Sequence, residues 1–190
     1  MEASLNDNQN LAVGTRAIPP GVYRLDPVHS TVGFVVMHKV SRFRAGFGDF
    51  DATLVVDESG AMTLTGAAQA ASVEVKNPMM RTHLLSPEFF DAKRHPEINL
   101  RSTSMELGEG GALVVSGELT LRGHTEVVSA VGTLTYVPDD LHGHGRVGID
   151  LEGVVDRTRF GMTWNQKLPG GGVAVANEVT LVGELEFPKE

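Results

Sequence analysis

The chain has 190 residues, 41% of them hydrophobic and 21% charged, which suits one packed domain and excludes a disordered chain. Sixteen lysines and arginines against 24 aspartates and glutamates leave a formal charge of −8, so no basic stripe exists to bind nucleic acid. The absence of cysteine excludes disulfides, thiolate nucleophiles, iron–sulfur clusters and thiolate zinc sites.

Residues 1–18 are polar and aperiodic, and Pro19-Pro20-Gly21 sets them apart, so they read as a flexible arm before a single domain over 19–190. The arm lacks the basic start and apolar stretch of an export signal. No apolar run approaches the roughly 18 residues of a membrane span. A soluble, cytoplasmic protein is expected.

From Gly21 onward the hydrophobic period is two. Phe50, Ala52, Leu54 and Val56 alternate with Asp51, Thr53, Val55 and Asp57, and the same pattern recurs around Leu113 to Leu121, Val147 to Val155 and Val179 to Phe187. Strands are expected near 21–26, 30–38, 43–56, 62–71, 97–106, 112–122, 125–137, 146–156 and 178–187. Turn signals at Glu58-Ser59-Gly60, Gly108 to Gly111, Pro138-Asp139-Asp140 and Pro169 to Gly172 separate several of them. The expectation is an all-β, antiparallel meander of eight or nine strands that closes into a barrel. The 22 glycines are about 12% of the chain, against an average near 7%. Gly117, Gly153 and Gly183 fall on apolar faces, where they either relieve crowding at bends or leave room for a ligand.

The crossing from Ser72 to Pro96 breaks the period. Met79, Met80, His83 and Leu84 have helical spacing, and Ser86-Pro87 offers a cap followed by the residue favoured at a first helical position. One or two short helices are expected over 72–95. Phe89 and Phe90 follow, as a lid over a barrel mouth or as a core plug.

The common catalytic signatures are missing: there is no G-x-S-x-G, H-E-x-x-H or G-x-x-x-x-G-K-[ST]. His142-Gly143-His144 offers two imidazoles but no third ligand, so it reads as a solvated loop and no metal is expected. His38 shares a face with Val32, Phe34 and Val36, either as a satisfied core imidazole or as a ligand contact. Arg81 and His83 sit beside the proposed lid, and Arg157 and Arg159 beside Phe160. These groups could hold a carboxylate or phosphate, or form salt bridges with a neighbour such as Asp91 or Asp156.

Four segments, in order, resemble the YceI-like polyisoprenoid-binding family. They are Gly21 to His38 (GVYRLDPVHSTVGFVVMH), Arg81 to Asp91 (RTHLLSPEFFD) with His95-Pro96 after it, Gly117 to Thr125 (GELTLRGHT), and Arg157 to Asn165 (RTRFGMTWN). The likeness runs from about Gly21 to Phe187. The chain departs from the family pattern at Thr82, where an acid is common, and at His95, where an aromatic is common. Many members are exported.

The resemblance implies an extended eight-stranded antiparallel lipocalin-like barrel that holds a polyisoprenoid amphiphile in its lumen, with no established catalytic set. On that reading the lumen is lined by Phe34, Val36, His38, Phe50 and Leu54, by Phe89 and Phe90, and by Leu100, Phe160 and Trp164. Arg81, His83 and Arg157 are the head-group candidates. The expected function is non-catalytic binding, storage or transport of an isoprenoid quinone or prenyl phosphate, with the lipid as ligand and no other cofactor. Two rivals stand beside it. One is an enzyme that modifies such a lipid, with His38 or His83 as acid or base. The other is a stress or assembly scaffold with a filled barrel and an acidic surface for a protein partner. An exposed strand edge could also pair two copies as a homodimer.

Overall fold

The computed structural model describes residues 17–139 and 143–190. Alternating apolar residues build eleven strands: β1 (Gly21–Arg24), β2 (Thr31–His38), β3 (Ser41–Phe47), β4 (Phe50–Val56), β5 (Met62–Gln69), β6 (Val73–Glu74), β7 (Glu97–Leu107), β8 (Ala112–Leu121), β9 (His124–Val137), β10 (Arg146–Asp156) and β11 (Val175–Pro188). They form one antiparallel sheet in the order β1-β4-β5-β7-β8-β9-β10-β11-β2-β3-β6. β3 and β4 stand near opposite ends of that order, yet only Gly48 and Asp49 separate them in the chain. The sheet is therefore strongly curled, bringing its two ends together. An isolated bridge from Tyr23 to Lys189 adds a tie between β1 and the end of β11.

The nine expected stretches become eleven strands for two reasons: Gly48-Asp49 divides 43–56 into β3 and β4, and a short β6 follows the 3-10 turn at Ala70–Ser72 that ends β5. The break at the Asp26 loop between β1 and β2 is the expected one. β11 begins at Val175, with a bulge between Val175 and Val179. The described chain starts at residue 17, and the residues just before β1 are held by the core. Ile18 packs on a core cluster, and the Tyr23 hydroxyl donates to the Pro19 carbonyl at 2.7 Å. Residues 1–16 lie outside the described residues.

The crossing holds one helix, α1 (Pro78–Leu85). Its cap is Asn77, whose side chain accepts from the backbone of Met79 at 2.8 Å and of Met80 at 3.2 Å, with Pro78 opening the helix. Ser86-Pro87 follows the helix instead of starting another. Proline disfavours helical backbone in the residue before it, and Ser86 is extended with ψ 166°. Residues 86–91 form turns, with the Phe90 amide bonded to Leu84 O and the Asp91 amide to Ser86 O.

Two apolar clusters fill different parts of the curl. One contains Tyr23, Leu54, Leu64, Val147 and Phe187 and packs the end where β1 and β4 meet β10 and β11. The other contains Phe34, Val73, Leu84, Phe90, Phe160 and Met162, beneath α1 and the 157–164 segment. Two glycines on inward faces serve close strand approach. A Cβ on Gly117 would stand 2.5 Å from Arg101 O, and one on Gly153 would stand 2.8 Å from Ser129 O. No helix among the described residues is long and apolar enough to cross a membrane.

Candidate functional site

A cavity of about 320 Å³ runs inside the curl. β2 contributes Phe34, Val36 and His38 at alternate positions, as a pleated strand with one face inward must. β3 adds Phe43 and Phe47, β4 adds Phe50, and β7 adds Ile98 and Leu100. Val179, Leu181, Gly183 and Leu185 of β11, the strand paired with β2, continue the wall on its other side, and Leu119, Leu121 and Val128 of β8 and β9 lie further round the curl. The Tyr23–Phe187 cluster blocks one end. At the other end the cavity reaches His83, Phe89 and Trp164, all partly exposed.

Aromatic contacts divide into two groups. Phe34 lies 6.2 Å from Phe43, 6.1 Å from Phe47 and 5.8 Å from Phe90, and Phe47 meets Phe90 edge-on at 5.7 Å. Phe89 belongs to the second group, 4.8 Å from His83 and 5.5 Å from Trp164, while His83 stands 4.7 Å from Trp164. The lid and plug alternatives are thus split between neighbours. Phe90 is buried in the wall, and Phe89 covers the open end.

The sequence candidates do not all reach this cavity. Leu54 is wholly buried in the blocked end, and Phe160 packs in the cluster beneath the 157–164 segment, so neither lines it. Arg81 points away. Its Nε donates to Val73 O at 3.2 Å and its Nη2 to Ala71 O at 2.5 Å, which fastens α1 to β6. His83 does line the cavity, with Nε2 2.6 Å from Glu88 Oε2. Arg157 also borders it but is 3% exposed. Its Nε donates to Ala176 O at 2.9 Å and its Nη1 to Met162 O at 2.5 Å. Burial lowers its pKa, an effect partly opposed by Asp156. Among the described residues Arg81 and Arg157 form no salt bridge, whereas Arg159 forms one with Glu126, at 2.5 Å, in place of Asp156. Arg94 pairs with Asp91 at 2.9 Å, and Asp156 accepts from Thr158.

Several participants were not visible in the sequence. Phe43, Phe47 and Met80 line the cavity. Arg122 joins two loops at the open end through Gly161 O at 2.5 Å and Pro87 O at 3.0 Å. His142 of the His142-Gly143-His144 candidate lies outside the described residues. A different group converges elsewhere: Asp26, His29 and Glu186 each offer a metal-ligand atom. Arg146 Nη1 already stands 2.9 Å from Asp26 Oδ2 and 2.8 Å from Glu186 Oε2, so the two acids share a guanidinium that occupies the space between them.

Hydrogen bonds from His29 and then Arg146 hold the Asp26 carboxyl far below the usual carboxylate range. A depressed folded-state pKa stabilises the fold above the unfolded value near 4, and that contribution is lost as pH falls through the folded value. Asp26→Asn should therefore cost on the order of 1 kcal/mol at pH 7 and progressively less below pH 4. Urea midpoints of both proteins at pH 7 and pH 3 check this, and an unchanged difference would contradict it.

Trp164 is the sole tryptophan and stands at the open end of the cavity. An apolar molecule entering there should shift its emission to the blue, and Phe89→Ala should increase the starting exposure. Emission insensitive to every apolar ligand would place binding elsewhere.

Comparison with known proteins gives a consistent match. The model of the YceI-like domain matches residues 23–187. A UPF0312 protein of Staphylococcus aureus (strain bovine RF122 / ET3-1) is 28% identical over 169 residues, covering 87% of this chain and 96% of its own length. The crystal structure of Burkholderia cenocepacia BcnA has a TM-score of 0.73 at 22% identity, covering 85% of this chain and 98% of that one. A Campylobacter jejuni YCEI protein gives 0.70 at 20%, over 100% and 99% of the two chains. A polyisoprenoid binding domain from Saccharophagus degradans, implicated in plant cell wall breakdown, gives 0.65 at 14%, over 88% and 98%. At these identities the solved structures share the fold.

Proposed function

The chain belongs to the YceI-like domain family, and from that premise we propose that its lumen binds the hydrocarbon chain of a polyisoprenoid amphiphile without transforming it. The observation that carries the proposal is the apolar cavity of about 320 Å³, blocked at one end and ending at His83, Phe89 and Trp164 at the other. Counting β1 with β2, β3 with β4 and β5 with β6 as interrupted staves gives an eight-stranded lipocalin-like barrel. A barrel of that size leaves room for one slender ligand. A head group, quinone or phosphate, would remain at the open end beside His83.

The volume is at the low end of the roughly 300–1,000 Å³ of small-molecule sites, so length of chain is the property the lumen would select. At about 0.8 kcal/mol per buried CH₂, each five-carbon unit offers at most roughly 4 kcal/mol before ordering costs. Three or four units would then support micromolar binding or better. Titrating prenols of two to ten units against Trp164 emission should show affinity rising steeply with each early unit and levelling once the lumen is full. Affinity independent of chain length would oppose the proposal.

A further inference from the structure

We propose that the open end of the cavity is a docking surface for an anionic lipid bilayer. The charge of the protein is distributed along the barrel axis. Among the described residues, the segments toward the open end (39–40, 48–49, 70–96, 122–123 and 157–174) carry nine lysines and arginines against four acids. Those at the opposite end (57–61, 108–111, 138–145 and 189–190) carry one against five. A chain of charge −8 is therefore basic at the end where its cavity reaches the surface.

Several of those cations are engaged within the protein, as Arg81, Arg122 and Arg157 are, but another group is not. Lys39, Lys76, Lys93 and Lys167 are exposed with no ion pair among the described residues, and so is Arg42 at the start of β3. Apolar tips stand among them. Val40, between Lys39 and Arg42, is 96% exposed, and Met79 on α1 is 82% exposed. The β2–β3 turn and the 165–174 loop form one rim, because the Lys39 amide donates to Ala174 O at 2.8 Å and Val175 pairs with His38. Protruding apolar tips surrounded by unpaired cations match an interface where apolar groups enter the acyl boundary and cations meet lipid phosphates. An acidic protein partner would satisfy the cations but not the tips.

The purpose of this surface rests on the lipid-cargo reading, but its test does not. Purified protein should float with vesicles of phosphatidylglycerol and phosphatidylcholine that contain no polyisoprenoid, and should release in high salt. It should not float with phosphatidylcholine alone. Lys39→Glu with Arg42→Glu, and separately Val40→Asp, should weaken flotation at least tenfold while leaving the prenol titration of Trp164 unchanged. Arg101→Glu with Lys189→Glu changes net charge equally, away from the rim, and should leave flotation nearly intact. Absence of flotation at low salt would overturn the proposal, as would equal losses in the rim and control variants. Flotation retained in protein that binds no prenol would overturn the cargo reading alone.

Discussion

Gly183→Leu should abolish lipid binding while leaving the protein folded. Gly183 lies on the inward face of β11 between Leu181 and Leu185 and borders the cavity. A Cβ there would meet only Leu185 side-chain atoms at 3.8 and 3.9 Å, an ordinary contact. The leucine therefore has room to enter the lumen, where its four added carbons displace about one five-carbon unit of ligand. Losing up to roughly 4 kcal/mol of burial should weaken binding by up to about 1,000-fold. Little stability should be lost, because overpacking costs arise where no space exists. Gly117→Leu is the contrast, since its Cβ would stand 2.5 Å from a backbone oxygen and should destabilise the fold itself. Thermal melts of both variants, beside a prenol titration, separate an occluded lumen from a damaged barrel. Full binding by Gly183→Leu would place the ligand outside the cavity.

Arg157→Ala should produce the second large effect, on stability. The side chain is nearly inaccessible, and its guanidinium joins the 157–162 turn to the bulge at the start of β11 through Met162 O and Ala176 O. Its removal leaves those acceptors without their charged donor, in a site too closed for easy hydration. A loss of about 3 kcal/mol is expected. At about 2–4 °C per kcal/mol for a chain of this length, that lowers the melting temperature by roughly 6–12 °C. Arg157→Lys should restore little, because an ammonium cannot reproduce the planar, divergent donors. A melting temperature of lipid-free Arg157→Ala within a degree of the original would leave Arg157 free to serve a head group.

Much of this architecture is legible in the sequence because a pleated strand records its buried face at every second residue. The period of two puts Phe34, Val36 and His38 on one face, and all three border the cavity. The same rule does not reveal what lies across the barrel. Leu54 is inward too, but at the end filled by Tyr23, Leu64 and Phe187. Phe160 lies in a 3-10 turn, where a period of two has no meaning.

The run 43–56 hid a change of register. Phe43 and Phe47 face the cavity at odd positions and Phe50 at an even one, so one slip at Gly48-Asp49 transfers the inward face between parities. In the crossing, Asn77-Pro78 and Ser86-Pro87 carry similar cap signals, and only the former has helical residues bonded above it. Arg81 and His83 are two residues apart on α1, about 200° around a helix, so one turns to β6 and the other to the cavity.

Whether the lumen holds an isoprenoid chain is tested most directly by what the protein carries. Gently purified protein should be extracted into organic solvent and the extract resolved by mass spectrometry, in parallel with Gly183→Leu. Close to one equivalent of a long-chain polyisoprenoid is expected in the original protein and almost none in the variant. Delipidation should lower the melting temperature of the original protein alone, because a ligand that binds only the folded state stabilises it by mass action. Repeated extracts without any isoprenoid, from protein whose melting temperature is unchanged by delipidation, would contradict an isoprenoid-filled lumen.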